Sequence, residues 1–279
     1  MSGKNSRPSS HSPLTLSPSK GERVEGERKV FQYPANAGTG SPVTRAERGR
    51  QLYEGKWKVL YEAAEPDHLI LRFKDVPSFR RAGRPTRVPG RGSLKARITA
   101  RLFAELMGQG IPTHFVKMLG ERELLVRRLE MIRLEVVLRN VVAGSLAARL
   151  GMESGTPLSA PVLELYYKSD ALGDPLVNES HVFALGLATG AELRTIRETA
   201  LRANRALLPF FAEREILLAD FKLEFGRHRA TLMVGDELTP DGCRFWDRAT
   251  QARLGKERSR MSPAQEAARY HEIYARICA

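Results

Sequence analysis

Cysteine is nearly absent from this sequence: Cys243 and Cys278 are the only two in 279 residues. Two cannot build a disulfide framework, and a reducing cytoplasm is the natural setting for such a chain. No cysteine–histidine cluster has zinc-ligand spacing, which removes the common structural metal sites. No run of eighteen apolar residues occurs, so no membrane-spanning helix is expected and a membrane partner is excluded. Acidic residues are outnumbered, 32 against 45 basic ones, leaving a formal net charge of +13.

That excess raises nucleic-acid binding as a hypothesis. Its distribution argues against one. Residues 1–50 hold nine Lys and Arg and four Asp and Glu, so they supply +5 of the +13. The rest is scattered through mixed-charge segments with no recognition motif. A basic surface equally suits a protein that holds phosphorylated, carboxylated small molecules. The apolar fraction of 42% and charged fraction of 28% belong to a globular protein, long enough for one large core or two smaller ones.

Residues 1–48 are rich in Ser, Pro and Gly, lack apolar periodicity and read as a disordered extension. They hold no apolar signal-peptide core and too many Glu for a typical transit peptide. A start placed too far upstream is a further reading. The next methionine is Met107, so that reading needs a non-Met start such as Val43, and intact mass distinguishes the two. Order is expected from about residue 50. "WKVLYEA" and "HLILRFKD", separated by the turn "AEPD", read as a hairpin. A helix is expected over 93–108, then strands at "HFVKML", "ELLVRRL" and "LEVVLRNVV" and a helix near 145–150. A loop-rich stretch follows to about 182, and a helix over 189–214 opens on a Thr189/Glu192 capping box. A hairpin around "GRHR" and a last helix from Pro263 complete an α+β chain in two lobes, 49–130 and 131–279.

Four segments carry chemistry. "YEGKWKVLYE" puts Lys56 and Lys58 two apart on an expected strand after a glycine turn, a pattern that covers phosphate groups or simply makes a basic edge strand. "EVVLRNVVAGSLAARLG" places Arg139 beside a helix opening at Ser145, a candidate anion site. "LELYYKSDALGDPLVNESH" gathers Lys168, Asp170, Asp174, Asn178 and His181 in an apparent loop. "ADFKLEFGR" alternates Asp220, Lys222 and Glu224 with Phe221, Leu223 and Phe225. A hairpin register pairing even positions would bring Asp236 of "VGDELTPDGCRFWD" to the same face. Carboxylates and a lysine crowded there make sense with Mg²⁺ and triphosphate, since Mg²⁺ takes one or two protein carboxylates plus phosphate oxygens. His114 and His181 read as structural, Trp57 as packing or as part of a lid.

These four segments, in this order, closely resemble the SAICAR synthetase family, from about Gln51 to Arg260. The resemblance implies a two-lobed fold with an antiparallel sheet in the N-terminal lobe, a larger α+β lobe, and ATP in the cleft between them. It implies ATP-driven ligation of L-aspartate to the carboxylate of carboxyaminoimidazole ribonucleotide through an acyl phosphate. By the same resemblance Lys56, Lys58, Met131 and Glu224 attend ATP, Glu224 and Asp236 hold Mg²⁺, and Lys222, Glu224 and Asp236 are catalytic. Arg139, Ser145, Lys168, Asp170, Asp174, Arg244 and Arg258 match substrate-side positions. A cytoplasmic enzyme with small-molecule partners follows, and a homo-oligomer is compatible with it.

Residues 75–97 depart from the family pattern. Val76 stands for an expected aspartate, Arg81 falls near a common polar turn position, and Lys95 and Ala96 occupy asparagine positions. Trp57 replaces a residue that is often small, and Ser259 a usual Phe. The departures set a second expectation beside the first. It is a paralogous amide ligase with another amine or carboxylate, or a catalytically weakened nucleotide-binding paralogue.

Overall fold

The computed structural model describes residues 48–75, 89–254 and 262–278. The chain divides into Met1–Gly38 and Thr39–Ala279, and every described residue belongs to the second unit. The expectations for residues 1–47, Val76, Arg81 and 255–261 lie outside the described residues.

The expected "AEPD" turn is present, closed by His68 N–H donating to the Glu65 carbonyl at 3.0 Å. It joins strands β2 (Lys58–Glu62) and β3 (His68–Phe73). With β1 (Gln51–Glu54), β4 (Phe115–Gly120) and β5 (Glu123–Arg127) they form an antiparallel sheet in the order β1-β2-β3-β5-β4. Helix α1 (Arg91–Gly108) packs on it, burying Leu94, Ile98, Leu102, Phe103 and Leu106 at helical spacing.

The second sheet is built from β6 (Glu130–Val141), β7 (Pro157–Tyr167), β8 (Leu176–Val177), β9 (Ile216–His228), β10 (Thr231–Gly235) and β11 (Cys243–Asp247). Its order is β10-β9-β6-β7-β8, and β11 also pairs with β9. All pairings between these strands are antiparallel, so the described residues form an α+β protein. The chain crosses between sheets at Arg128–Leu129. There Gly226 is required, because a Cβ on it would stand 2.7 Å from that of Leu129.

Helices α2 (Ser145–Leu150), α3 (Glu179–Ala184), α4 (Gly190–Ala212) and α5 (Pro263–Cys278) complete the fold. Helix α4 opens on the expected capping box: Thr189 Oγ1 accepts from Glu192 N–H, and Glu192 accepts from Thr189 N–H. It packs on β9 and β6. Its Leu193, Ile196, Ala200, Ala203, Leu207 and Phe211 merge with Phe221, Leu223 and Phe225 in one core that also takes in Leu71 and Phe73. Each Leu, Ile or Phe among them contributes about 1.5–3 kcal/mol by leaving water.

Two expectations need correction. The stretch before residue 182 is largely ordered, with the eleven-residue strand β7 and the short β8. Its two prolines and its exposed first half break the alternation that would have revealed a strand. Strand β6 begins at Glu130 and not at Leu134, so Met131 is its second residue.

Candidate active site

Register assembles the polar face of the second sheet. Antiparallel pairing sets Asp220, Lys222 and Glu224 of β9 opposite Arg139, Val137 and Glu135 of β6. Those in turn face Val162, Glu164 and Tyr166 of β7. Directly opposed residues share a face, so charges spread over three strands become one cluster. Lys222 Nζ donates to Glu135 Oε1 at 2.5 Å and to Glu224 Oε1 at 2.9 Å. Lys168, just past β7, donates to the other oxygen of Glu224, which is 2% exposed. Burial disfavours charge on Lys222, but Glu224 and Glu135 outweigh it and hold the ammonium above its ordinary pKa. Glu135 was not singled out in the sequence; its alternation with Arg139 in "LEVVLRN" was the one local sign of it.

Asp236 joins this cluster by a route other than the expected one. The β9–β10 register pairs Glu224 with Gly235 and Phe225 with Val234, odd with even. Regular continuation would have put Asp236 opposite Leu223, on the apolar face. The strand ends at Gly235 instead, and Asp236 turns through the left-handed region at φ 61°. Its carboxylate meets Lys58 from the first sheet, with Glu237 Oε2 3.7 Å from the same ammonium. Burial opposes ionisation of Asp236, yet Lys58 and then Lys168 and Lys222 hold its carboxyl well below the usual range. For Lys58 burial again works against charge, and Asp236 and Glu237 overcome it. His114 Nε2–H donates to the Asp236 carbonyl at 3.1 Å. Burial pushes this imidazole down to about 4 and keeps it neutral, consistent with its structural reading.

A second cluster lies farther along the same strands. All five N–H groups of Arg139 have partners inside the protein. Nε donates to Glu164 at 2.6 Å, and Nη1 to Asp220 at 3.0 Å and the Ala143 carbonyl at 3.4 Å. Nη2 donates to Ser145 Oγ and Tyr166 Oη, both at 3.1 Å. Arg149 adds a second cation on Glu164. Arg244 is held less completely: Nη1 donates to Asp220 at 2.6 Å, and the rest of its guanidinium lies over Gly144. A Cβ at Gly144 would stand 2.2 Å from Arg244 Nη2, and φ there is +53°. Glycine therefore opens both the helix start at Ser145 and the approach to Arg244.

The remaining expected residues are placed unequally. Lys56 is not on a strand with Lys58. It lies in the exposed turn before β2, and its Nζ is 3.2 Å from Asp170. Asp174 Oδ1 accepts from Ser169 N–H at 2.8 Å and closes the turn that carries Asp170. His181 caps α3 with Asn178. Met131 is exposed, with its sulfur 3.3 Å from where a Gly235 Cβ would be. Arg258 lies outside the described residues. A cavity of about 550 Å³ lined by Arg48, Gly49, Gln51, Tyr61 and Arg72 includes none of the cluster residues. Among the described residues no group of three or more His, Cys, Asp or Glu side chains is arranged to hold a metal by itself.

A seam of lysines and carboxylates between two antiparallel sheets defines a class of protein suited to holding a polyphosphate against a second anionic ligand. The SAICAR synthetase family model matches residues 51–277. The phosphoribosylaminoimidazole-succinocarboxamide synthase of Desulfitobacterium hafniense (strain DSM 10664 / DCB-2) is 46% identical over 231 residues, 83% of this chain and 97% of that protein. The protein of the same name from Zymomonas mobilis subsp. mobilis is 45% identical, over 82% of this chain and 90% of its own. Among solved structures, the Ehrlichia chaffeensis synthase superposes with TM-score 0.77 at 36% identity, covering 82% of this chain and 99% of that one. A SAICAR synthetase in complex with ADP superposes with TM-score 0.75 at 40% identity, covering 82% and 97%. The chain belongs to the SAICAR synthetase family and is an ATP-dependent carbon–nitrogen ligase.

Proposed function

We infer that the chain joins L-aspartate to the carboxylate of carboxyaminoimidazole ribonucleotide with ATP, giving SAICAR, ADP and phosphate in purine biosynthesis. The observation that carries this reading is the cluster of Lys58, Asp236, Lys222, Glu224, Glu135 and Lys168 where the two sheets meet. A carboxylate resists an amine until one of its oxygens becomes a good leaving group. The substrate carboxylate oxygen attacks the γ-phosphorus, the bond to ADP breaks, and an acyl phosphate results. The amine nitrogen then attacks the acyl carbon, the carbon–oxygen bond to phosphate breaks, and the nitrogen loses a proton.

Positioning and charge neutralisation dominate such phosphoryl transfer. Lys58, Lys168 and Lys222 supply cationic donors to the phosphates. Arg244 presents its less engaged guanidinium edge, with Ser145, to the anionic ribonucleotide. Arg139, fully bonded within the protein, positions Ser145 and Asp220. Lys56, Asp170 and Asp174 sit on the outer rim, and Met131 beside the nucleotide base. Residues 49–130 form the nucleotide-covering lobe and 131–279 the substrate lobe.

The oxygen donors Glu224 and Asp236 fit Mg²⁺, a hard cation that needs only one or two protein carboxylates. Asp236 uses one of its two oxygens on Lys58. When bound, Mg²⁺ would neutralise phosphate charge. The two free cysteines support a cytoplasmic setting, and no helix among the described residues is long and apolar enough to cross a membrane.

The test is ADP release with the carboxylated ribonucleotide, with and without L-aspartate. Aspartate-dependent turnover is expected. Release that requires another amine would overturn the assignment in favour of a paralogous ligase, and nucleotide binding without turnover would favour a weakened one.

A further inference from the structure

Two of the departures from the family pattern, Lys95 and Trp57, meet in space. Lys95 on α1 is 1% exposed, and a lysine at that depth must be paired. Its Nζ lies 3.1 Å from Glu237 Oε1 and 3.0 Å from Asp241 Oδ2, both on the connection between β10 and β11. On its other side the same ammonium lies 5.7 Å from the Trp57 ring and 5.5 Å from that of Phe73. Trp57 immediately precedes Lys58 and also faces Arg91, 5.8 Å away. Thr239 Oγ1 shares Glu237 Oε1 at 3.3 Å, and Glu237 Oε2 is the oxygen 3.7 Å from Lys58. Lys95 therefore touches both flanks of Lys58: the turn that carries it, and the carboxylate that competes for it.

We propose that Lys95 is a positioning residue for Lys58. By engaging Glu237 through charge and Trp57 through its ring face, it fastens the turn of the first sheet to the β10–β11 connection. It also draws Glu237 away from Lys58, which stays directed at Asp236 and the incoming phosphates. Lys95 sits behind the phosphate-binding lysine and does not touch substrate, so its exchange for the family's asparagine alters how the site is braced and not what it selects. The proposal rests on the assignment of Lys58 to the nucleotide.

Its test uses the full chain with Lys95→Met, which keeps the length and apolar stem but not the charge, alone and with Glu237→Gln. Lys95→Met is expected to raise the KM for ATP about tenfold with kcat within about threefold, and to leave the KM values of both other substrates unchanged. Adding Glu237→Gln should return most of that loss, because the released carboxylate no longer claims Lys58. An unchanged KM for ATP, an equal loss for all three substrates, or no recovery in the double variant would each overturn the proposal. Should Lys95→Met not fold, Trp57→Ala carries the test: a rise of about fivefold in the KM for ATP is expected, and no change overturns it. Calorimetric titration of the wild-type protein with MgADP separates the premise from the inference. Absent binding there would remove Lys58 from nucleotide recognition and the proposal with it.

Discussion

Asp236 shows how much one residue decides here. At φ 61° it adopts the left-handed region that few L residues tolerate, at a cost of about 1–3 kcal/mol. Lys58 and the His114 bond to its carbonyl hold it there. Asparagine is among the side chains best suited to that backbone, so Asp236→Asn should fold while losing its charge. Asp236→Asn and Glu224→Gln are each expected to lower turnover at least about tenfold, through weaker neutralisation of phosphate charge. Steady-state ADP release checks this, and unchanged turnover in both would remove them from the site. The carboxylates themselves were legible as residue types that a solvent face does not require. Their partners were less so. Glu135 needed the β6 register, and nothing local to Lys95 signalled that its charge would be buried against two carboxylates.

At the scale of elements, α4 declared itself through its cap and its apolar spacing, because both are local properties of consecutive residues. Thr189→Ala should cost about 1 kcal/mol of stability, read by urea denaturation. Glu192 adds a pH dependence. Its carboxyl is lowered to about 2, first by the hydrogen bond from Arg227 and then by Thr189 N–H. Because the folded pKa lies below the ordinary 4.5, its stabilisation is complete above that pH and disappears as pH falls toward 2. The stability gap between wild type and Glu192→Gln should therefore close between pH 5 and about 2, and stay modest throughout because the pair is partly solvent-screened. Strand β7 gave no such local sign. Hydrogen bonding to β6 makes it a strand despite two prolines and an exposed first half. The β9–β10 hairpin was visible, but its register was not, since a two-residue turn at Arg229–Ala230 and one at neighbouring positions are equally compatible with the alternation.

Across the chain, residues distant in sequence are tied by buried charge as well as by the shared apolar core. Arg91 at the start of α1 bonds Asp241 at 2.7 and 2.9 Å, Tyr270 Oη at 3.2 Å and Glu266 at 3.0 Å, joining the β10–β11 connection to α5. Removing one partner from such a buried group leaves the others uncompensated, so Arg91→Met should cost about 3–5 kcal/mol. A lower urea midpoint with an unchanged denaturant slope would check it. The sequence by itself determined the family, the α+β class, the longer helices with the α4 cap and most of the charged residues at the site, because composition, periodicity and long ordered motifs are written along the chain. Only the tertiary structure decided which charges meet. Lys58 and Asp236 are 178 positions apart and Arg91 and Tyr270 179, and pairing over such separations is set by sheet register and by a single left-handed turn, neither of which local residue pattern specifies.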